Sequence, residues 1–116
     1  MAHFDYVPFS QVLPRAAALV HHGGIGTCAQ GLAAGVPQMV MPLAHDQPDN
    51  ADRLRRLGVS RTVMPKRFHG PALAATLDDL LRCERTAKAC RDVAERFRGA
   101  DPLGETCRLI EEVAGR

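Results

Sequence analysis

From residue 4 to residue 65 the chain alternates short apolar or β-branched runs with helical stretches, and this alternation leaves room for few folds. The runs FDYVPF, ALVHH, QMVMPL and SRTVMP are bounded by Gly or Pro, as strands buried on both faces are. Helical stretches are predicted between them, near residues 10–16, across 27–34 and across 48–57. The second is closed by Gly35 with Pro37 just beyond. The third opens at Pro48 and stops at Gly58, following the rule of proline inside a helix start and glycine past its end. With connections this short, successive strands must run parallel through crossover helices, so the expected fold class is α/β with a parallel sheet.

After Gly70-Pro71 the periodicity becomes purely helical. Leu73, Leu77, Leu80 and Leu81 share a face, and Cys83, Ala87, Cys90, Ala94 and Phe97 continue an apolar stripe opposite Arg, Lys, Asp and Glu. Asp101-Pro102 announces a last helix, whose Leu103, Ile110 and Val113 need a cover that nothing in the sequence identifies. At 116 residues and 46% hydrophobic content this is one small domain or part of a larger one. The net charge of +2, with scattered Lys and Arg, one Tyr, four Phe and no Trp, argues against a nucleic-acid partner. No apolar run approaches the roughly 18 residues of a membrane span, and the first residues lack a signal-peptide pattern, so a cytoplasmic location is expected. Cys28, Cys83, Cys90 and Cys107 have no CxxC spacing. They read as reduced core thiols, with Cys83 and Cys90 on apolar helix faces.

Chemistry concentrates in residues 18–50. In HHGGIGT, a strand ends in glycines and runs into a helix. Unpaired backbone N–H groups and the helix dipole then favour an anion, and Gly23, Gly24 and Gly26 let the backbone approach it closely. Thr27 would cap the helix or give its hydroxyl to a phosphate oxygen. The spacing is neither GxGxxG nor a Walker loop. On the glycines alone, a tight strand-to-helix turn explains the stretch equally well. His21 and His22 are adjacent on a strand and must point to opposite faces, which speaks against a shared metal. His22 is favoured as donor to a diphosphate oxygen, and His21 as its structural partner. PLAHDQPDN stands at the end of the next strand, so Asp46 and Gln47 should face the same crevice as His22. A carboxylate beside an amide suits the vicinal hydroxyls of a sugar, although either residue would also serve as cap of the helix opened by Pro48.

Taken together, PFSQVLPRAAALVHHGGIGTCAQGLAAGVPQMVMPLAHDQPDNADRLRRLGVS resembles the donor-binding signature of the UDP-glycosyltransferase superfamily. The match is best to the bacterial and sterol-glucosyltransferase-like branch, with its HHGG.GT and DQ elements. The resemblance implies GT-B architecture: two Rossmann-like domains across a cleft, the N-terminal one for the acceptor and the C-terminal one for the nucleotide sugar. It gives His22, Gly24, Gly26 and Thr27 to the donor diphosphate, and Asp46 with Gln47 to the hexose hydroxyls. Tyr6, Val7 and Pro8 stand where the family has its base-binding Trp-x-Pro step, which places Tyr6 to stack on the nucleobase. Gln30 stands where plant-type members carry a ribose-binding Glu, and Gly26 replaces their Asn.

The resemblance further implies a single nucleotide-sugar-binding domain over residues 1–116, with an α/β part at 1–65 and a helical part at 66–116. It implies a partial one. Strands 1 and 2 of the family's 3-2-1-4-5-6 sheet are missing between Phe4 and Ala18, and the acceptor domain with its catalytic base is absent. An open edge on the ALVHH strand then invites self-association. The implied enzyme is an inverting hexosyltransferase using a UDP- or dTDP-sugar donor, no metal, and a hydroxyl acceptor such as a sterol, lipid or small natural product. No residue of the chain is expected to be catalytic by itself. A non-catalytic nucleotide-sugar-binding accessory subunit and a GT-B sugar-nucleotide epimerase are the alternatives.

Overall fold

A computed structural model describes residues 1–116. Helix α1 (Phe9–Val12) and a 3-10 turn (Leu13–Arg15) precede an alternation of three strands and two helices. These comprise β1 (Leu19–His21), α2 (Ile25–Ala34), β2 (Gln38–Val40), α3 (Gln47–Arg56) and β3 (Ser60–Thr62). A second 3-10 turn (Pro65–Arg67) leads to α4 (Gly70–Arg82), α5 (Glu84–Glu95) and α6 (Pro102–Ala114). The strands form one parallel sheet in the order β1-β2-β3, with Leu19 opposite Gln38 and Gln38 opposite Ser60. The α/β class and parallel sheet expected from the alternation are therefore present.

Successive residues of the central strand serve opposite faces of the sheet, as strand pleating requires. Val40 packs on one side with Cys28 of α2, Ala51 and Leu54 of α3, Cys90 and Val93 of α5, and Val59 just before β3. Met39 packs with Val63 and Leu80 beneath α4 on the other. Burial of a side chain such as Leu54 contributes roughly 1.5–3 kcal/mol, so the first cluster is the main anchor of α2 and α3. Gly31 lets α2 lie directly on the sheet, since a Cβ there would fall 2.6 Å from the Gln38 side chain. Proline bounds two of the three short strands, with Pro37 before β2, Pro42 after it and Pro65 beyond β3, while β1 runs into Gly23 and Gly24.

Several sequence expectations need correction. FDYVPF is not a strand: residues 1–8 carry no regular structure, Phe4 and Tyr6 are exposed, and Pro8 is the extended N-cap of α1. An apolar run becomes a strand only where another strand takes its hydrogen bonds, and none pairs with this segment. Cys28 and Cys90 are buried free thiols, but Cys107 is exposed, and Cys83 sits at the joint between α4 and α5 rather than on a helix face. Leu80 is buried while Leu81 is largely exposed, so the apolar face of α4 is narrower than its leucines imply. No residue of α6 is buried; Leu103, Ile110 and Val113 lie open, as the sequence leads one to expect. No helix is long and apolar enough to cross a membrane.

Candidate functional site

β1 ends at His21, and His22 follows directly at the carboxyl end of the sheet, so the chain delivers two histidines there, the first half-buried and the second exposed. His21 points inward, on the face shared by Gln38 and Val40. Its Nε2 lies 2.8 Å from Gln38 Oε1, and the Gly23 N–H donates to its Nδ1 at 3.0 Å. A ring nitrogen that accepts carries no proton, so His21 is neutral with its hydrogen on Nε2, donated to Gln38. Burial holds its pKa below the usual imidazole value; the Gln38 hydrogen bond opposes that shift, and the charge on His22 adds to it. Gln38 is fully buried and passes its own amide N–H to the Cys28 carbonyl at 3.4 Å. The glycine turn is thereby tied through His21 and Gln38 to the body of α2.

The turn itself has a fixed shape. Gly23 is buried at φ +95, and a Cβ there would lie 3.0 Å from Val40 Cγ1 and 3.2 Å from the Gln47 carbonyl oxygen. No other residue fits. Gly24 then caps α2 without any side-chain hydrogen bond, so Thr27 is not the cap, and the helix begins two residues before it. The first backbone bond at this end is from the Cys28 N–H to the Gly24 carbonyl, which leaves the amides of Ile25, Gly26 and Thr27 without a protein acceptor. Gly26 meets nothing within 4 Å of where its Cβ would be. The exposed His22 ring stands against Gly24, its Nε2 3.1 Å from where a Gly24 Cβ would be. One helix end thus gathers His22, Gly24, Gly26 and Thr27 around unpaired donors at the positive pole of the helix dipole.

The second loop leaves β2 and reaches α3. His45 is its one non-glycine residue in the left-handed region, at φ 59. Gln47 closes the loop: its Oε1 accepts the N–H groups of Leu43 and Ala44, at 2.8 and 3.2 Å. Its amide hydrogens remain available as donors. Asp46 occupies the N-cap position of α3 but makes no side-chain cap bond. Its Oδ2 instead accepts from Asn50 Nδ2 at 2.8 Å, and the same nitrogen donates to the Gly23 carbonyl at 2.9 Å. The simple capping reading of Asp46 and Gln47 is therefore replaced: one closes its loop, the other is gripped from inside α3. Asn50 and Gln38 are the polar residues that sequence reasoning missed. For Asn50 the available signal was its place one helical turn after Asp46.

The remaining expected site residues lie on the flank of α2. Gln30 is exposed and lines a shallow cavity of about 270 Å³ together with Phe9, Ser10 and Pro14. Val7 and Pro8 are partly buried just before that cavity, while Tyr6 projects into solvent, 81% exposed. No cluster of three His, Cys, Asp or Glu side chains with metal-holding geometry is present.

Comparison with known proteins adds a family, two relatives and a solved structure. The domain family described as erythromycin biosynthesis protein CIII-like, C-terminal domain, matches residues 2–108. The chain is similar to O-mycaminosyltylonolide 6-deoxyallosyltransferase of Streptomyces fradiae, 39% identical over 107 residues, covering 91% of this chain and 25% of that protein. It is likewise similar to elloramycin glycosyltransferase ElmGT of Streptomyces olivaceus, 43% identical over 112 residues, covering 96% of this chain and 28% of that protein. The crystal structure of the glycosyltransferase VinC in complex with DTDP superposes with a TM-score of 0.87 at 29% identity, covering 97% of this chain and 29% of that one. The chain thus spans about a quarter of the length of the curated relatives it matches.

Proposed function

Since this chain belongs to the erythromycin biosynthesis protein CIII-like C-terminal domain family, we propose that it is the nucleotide-sugar-binding part of a glycosyltransferase that passes a hexosyl group to a hydroxyl acceptor. The observation that carries the reading is the set of unpaired amides at Ile25, Gly26 and Thr27, with His22 standing over the same turn. In this reading they hold the donor diphosphate. Asp46, through the oxygen not held by Asn50, accepts from sugar hydroxyls, and Gln47 donates to them through its free amide. Gln30 takes the ribose, and Tyr6 folds against the base together with Val7. VinC was crystallised with DTDP, which favours dTDP as the carrier, with UDP as the alternative that the titration below separates from it.

The chemistry follows from where charge grows. As the acceptor oxygen attacks the anomeric carbon from the opposite side, the bond to the diphosphate breaks and negative charge accumulates on the leaving oxygen. The helix dipole and His22 stabilise that charge more in the transition state than in the bound donor, which is the condition for lowering the barrier. No metal takes part in this scheme. The acceptor, a sterol or another small natural product, and the base that receives its proton are held outside the site described.

Calorimetric titration with UDP, UDP-glucose and dTDP tests the proposal. His22→Ala is expected to weaken all three by about 1.5–3 kcal/mol, the usual scale of a hydrogen bond to a charged group. Asp46→Ala is expected to weaken UDP-glucose more than UDP. A folded chain that binds none of the three at millimolar concentration would overturn the reading.

A further inference from the structure

We propose that Asn50 is a positioning residue that couples the diphosphate turn to the sugar loop, so that the two subsites act as one. The inference rests on the donor-binding function proposed above and deepens it. Asn50 is 8% exposed on the inner side of α3, and its side-chain nitrogen serves two acceptors from different loops. One is the Gly23 carbonyl at 2.9 Å, the other Asp46 Oδ2 at 2.8 Å. An amide has two hydrogens, and both are used.

Each bond has a consequence for a ligand. A peptide carbonyl in the glycine turn would repel a diphosphate if it were left free to face the anion, and the buried Asn50 amide engages the Gly23 carbonyl instead. The Asp46 carboxylate is exposed and free to rotate unless one oxygen is fixed. Asn50 fixes it, leaving the other oxygen for a sugar hydroxyl. Direct packing reinforces the link, because the place of a Gly23 Cβ is only 3.2 Å from the Gln47 carbonyl. A buried amide with both hydrogens engaged has one stable orientation, and a shift in either loop is felt by the other.

The test is the affinity ratio of UDP-glucose to UDP, measured by calorimetry on the whole 116-residue chain and on Asn50→Ala, Asn50→Asp, Asp46→Ala and the Asp46→Ala/Asn50→Ala double variant. Asn50→Ala is expected to weaken UDP itself by about tenfold and to lower the ratio as far as Asp46→Ala does. The double variant should lower the ratio no further than either single change. Asn50→Asp keeps the shape but sets a carboxylate against Asp46 and the Gly23 carbonyl, so it should lose more UDP affinity than Asn50→Ala. It also decides the matter should the alanine variant not fold. A purely structural asparagine would reduce stability while each folded molecule kept both affinities and their ratio, and that result overturns the coupling while leaving the donor site standing. Absence of nucleotide binding by the unaltered chain would instead remove the donor site and this inference with it.

Discussion

Gly26→Ala separates a glycine kept for a ligand from one kept for the fold. Gly26 lies in the first turn of α2, its φ is not positive, and no atom lies within 4 Å of where a Cβ would be added. Nothing in the folded chain resists the extra methyl. Alanine in place of a helical glycine favours the helix by about 0.5–1 kcal/mol, which for a domain of this size raises the melting temperature by roughly 2–4 °C. The same methyl would stand in front of the unpaired amides and hold an anion out of hydrogen-bonding range. That loss is about 1.5–3 kcal/mol, or roughly ten- to hundredfold in affinity for UDP. Gly23→Ala, three residues earlier, should behave oppositely in stability. Its φ of +95 and the contacts at 3.0 Å to Val40 Cγ1 and 3.2 Å to the Gln47 carbonyl together predict a loss of about 2–5 kcal/mol. Thermal denaturation followed by circular dichroism gives the stability arm, and calorimetry the binding arm. A Gly26→Ala chain that melts higher and binds UDP as tightly as before would refute the placement of the diphosphate at this helix end.

Two further predictions rest on titrating groups. His21 titrates below its ordinary value of 6.5, chiefly because it is buried, so the unfolded chain takes up the proton first as the pH falls. Its contribution to stability is therefore complete above pH 6.5 and is lost as the pH drops from there towards the folded value. Urea denaturation between pH 7.5 and 5 should show a smaller loss for His21→Gln than for the unaltered chain, and equal slopes would contradict the assignment. The Cys83 thiol is brought down to about 7 by the Thr86 side chain, then the Thr86 backbone and the Arg61 side chain, whereas burial pushes Cys28 and Cys90 up. Iodoacetamide at neutral pH should label Cys83 well before Cys28 or Cys90 in peptide mass spectrometry, and Arg61→Gln should slow that labelling. Labelling of Cys28 as fast as Cys83 would show the reverse.

What could be read from the sequence was local, and what could not was a matter of partners distant in the chain. Gly35 and Gly58 end their helices at positive φ, and Pro48 lies in the first turn of α3, so the helix boundaries followed from residues within one turn of them. The opposite orientation of His21 and His22 also needed only the pleat of a strand. FDYVPF shows the limit of the same reasoning: its apolar pattern matches that of a buried strand, yet whether a run pairs depends on a neighbour that pattern alone does not supply. Asn50 and Gln38 are hidden for a related reason. Asn50 shows one of its two bonds in the helical spacing to Asp46, but its other acceptor is a carbonyl 27 positions away, and Gln38 meets an imidazole 17 positions away, so no spacing rule reveals those links. Gln38 nonetheless carried a clue. It opens a strand that is otherwise buried and apolar, where an unsatisfied amide would cost about 1–3 kcal/mol, so a polar partner on the same face was obligatory. Once β1 is paired in parallel with β2, Leu19 stands opposite Gln38, and His21 is the next residue of β1 on that face. The inward histidine is therefore required by the glutamine, and its neighbour His22 is released to face whatever occupies the turn.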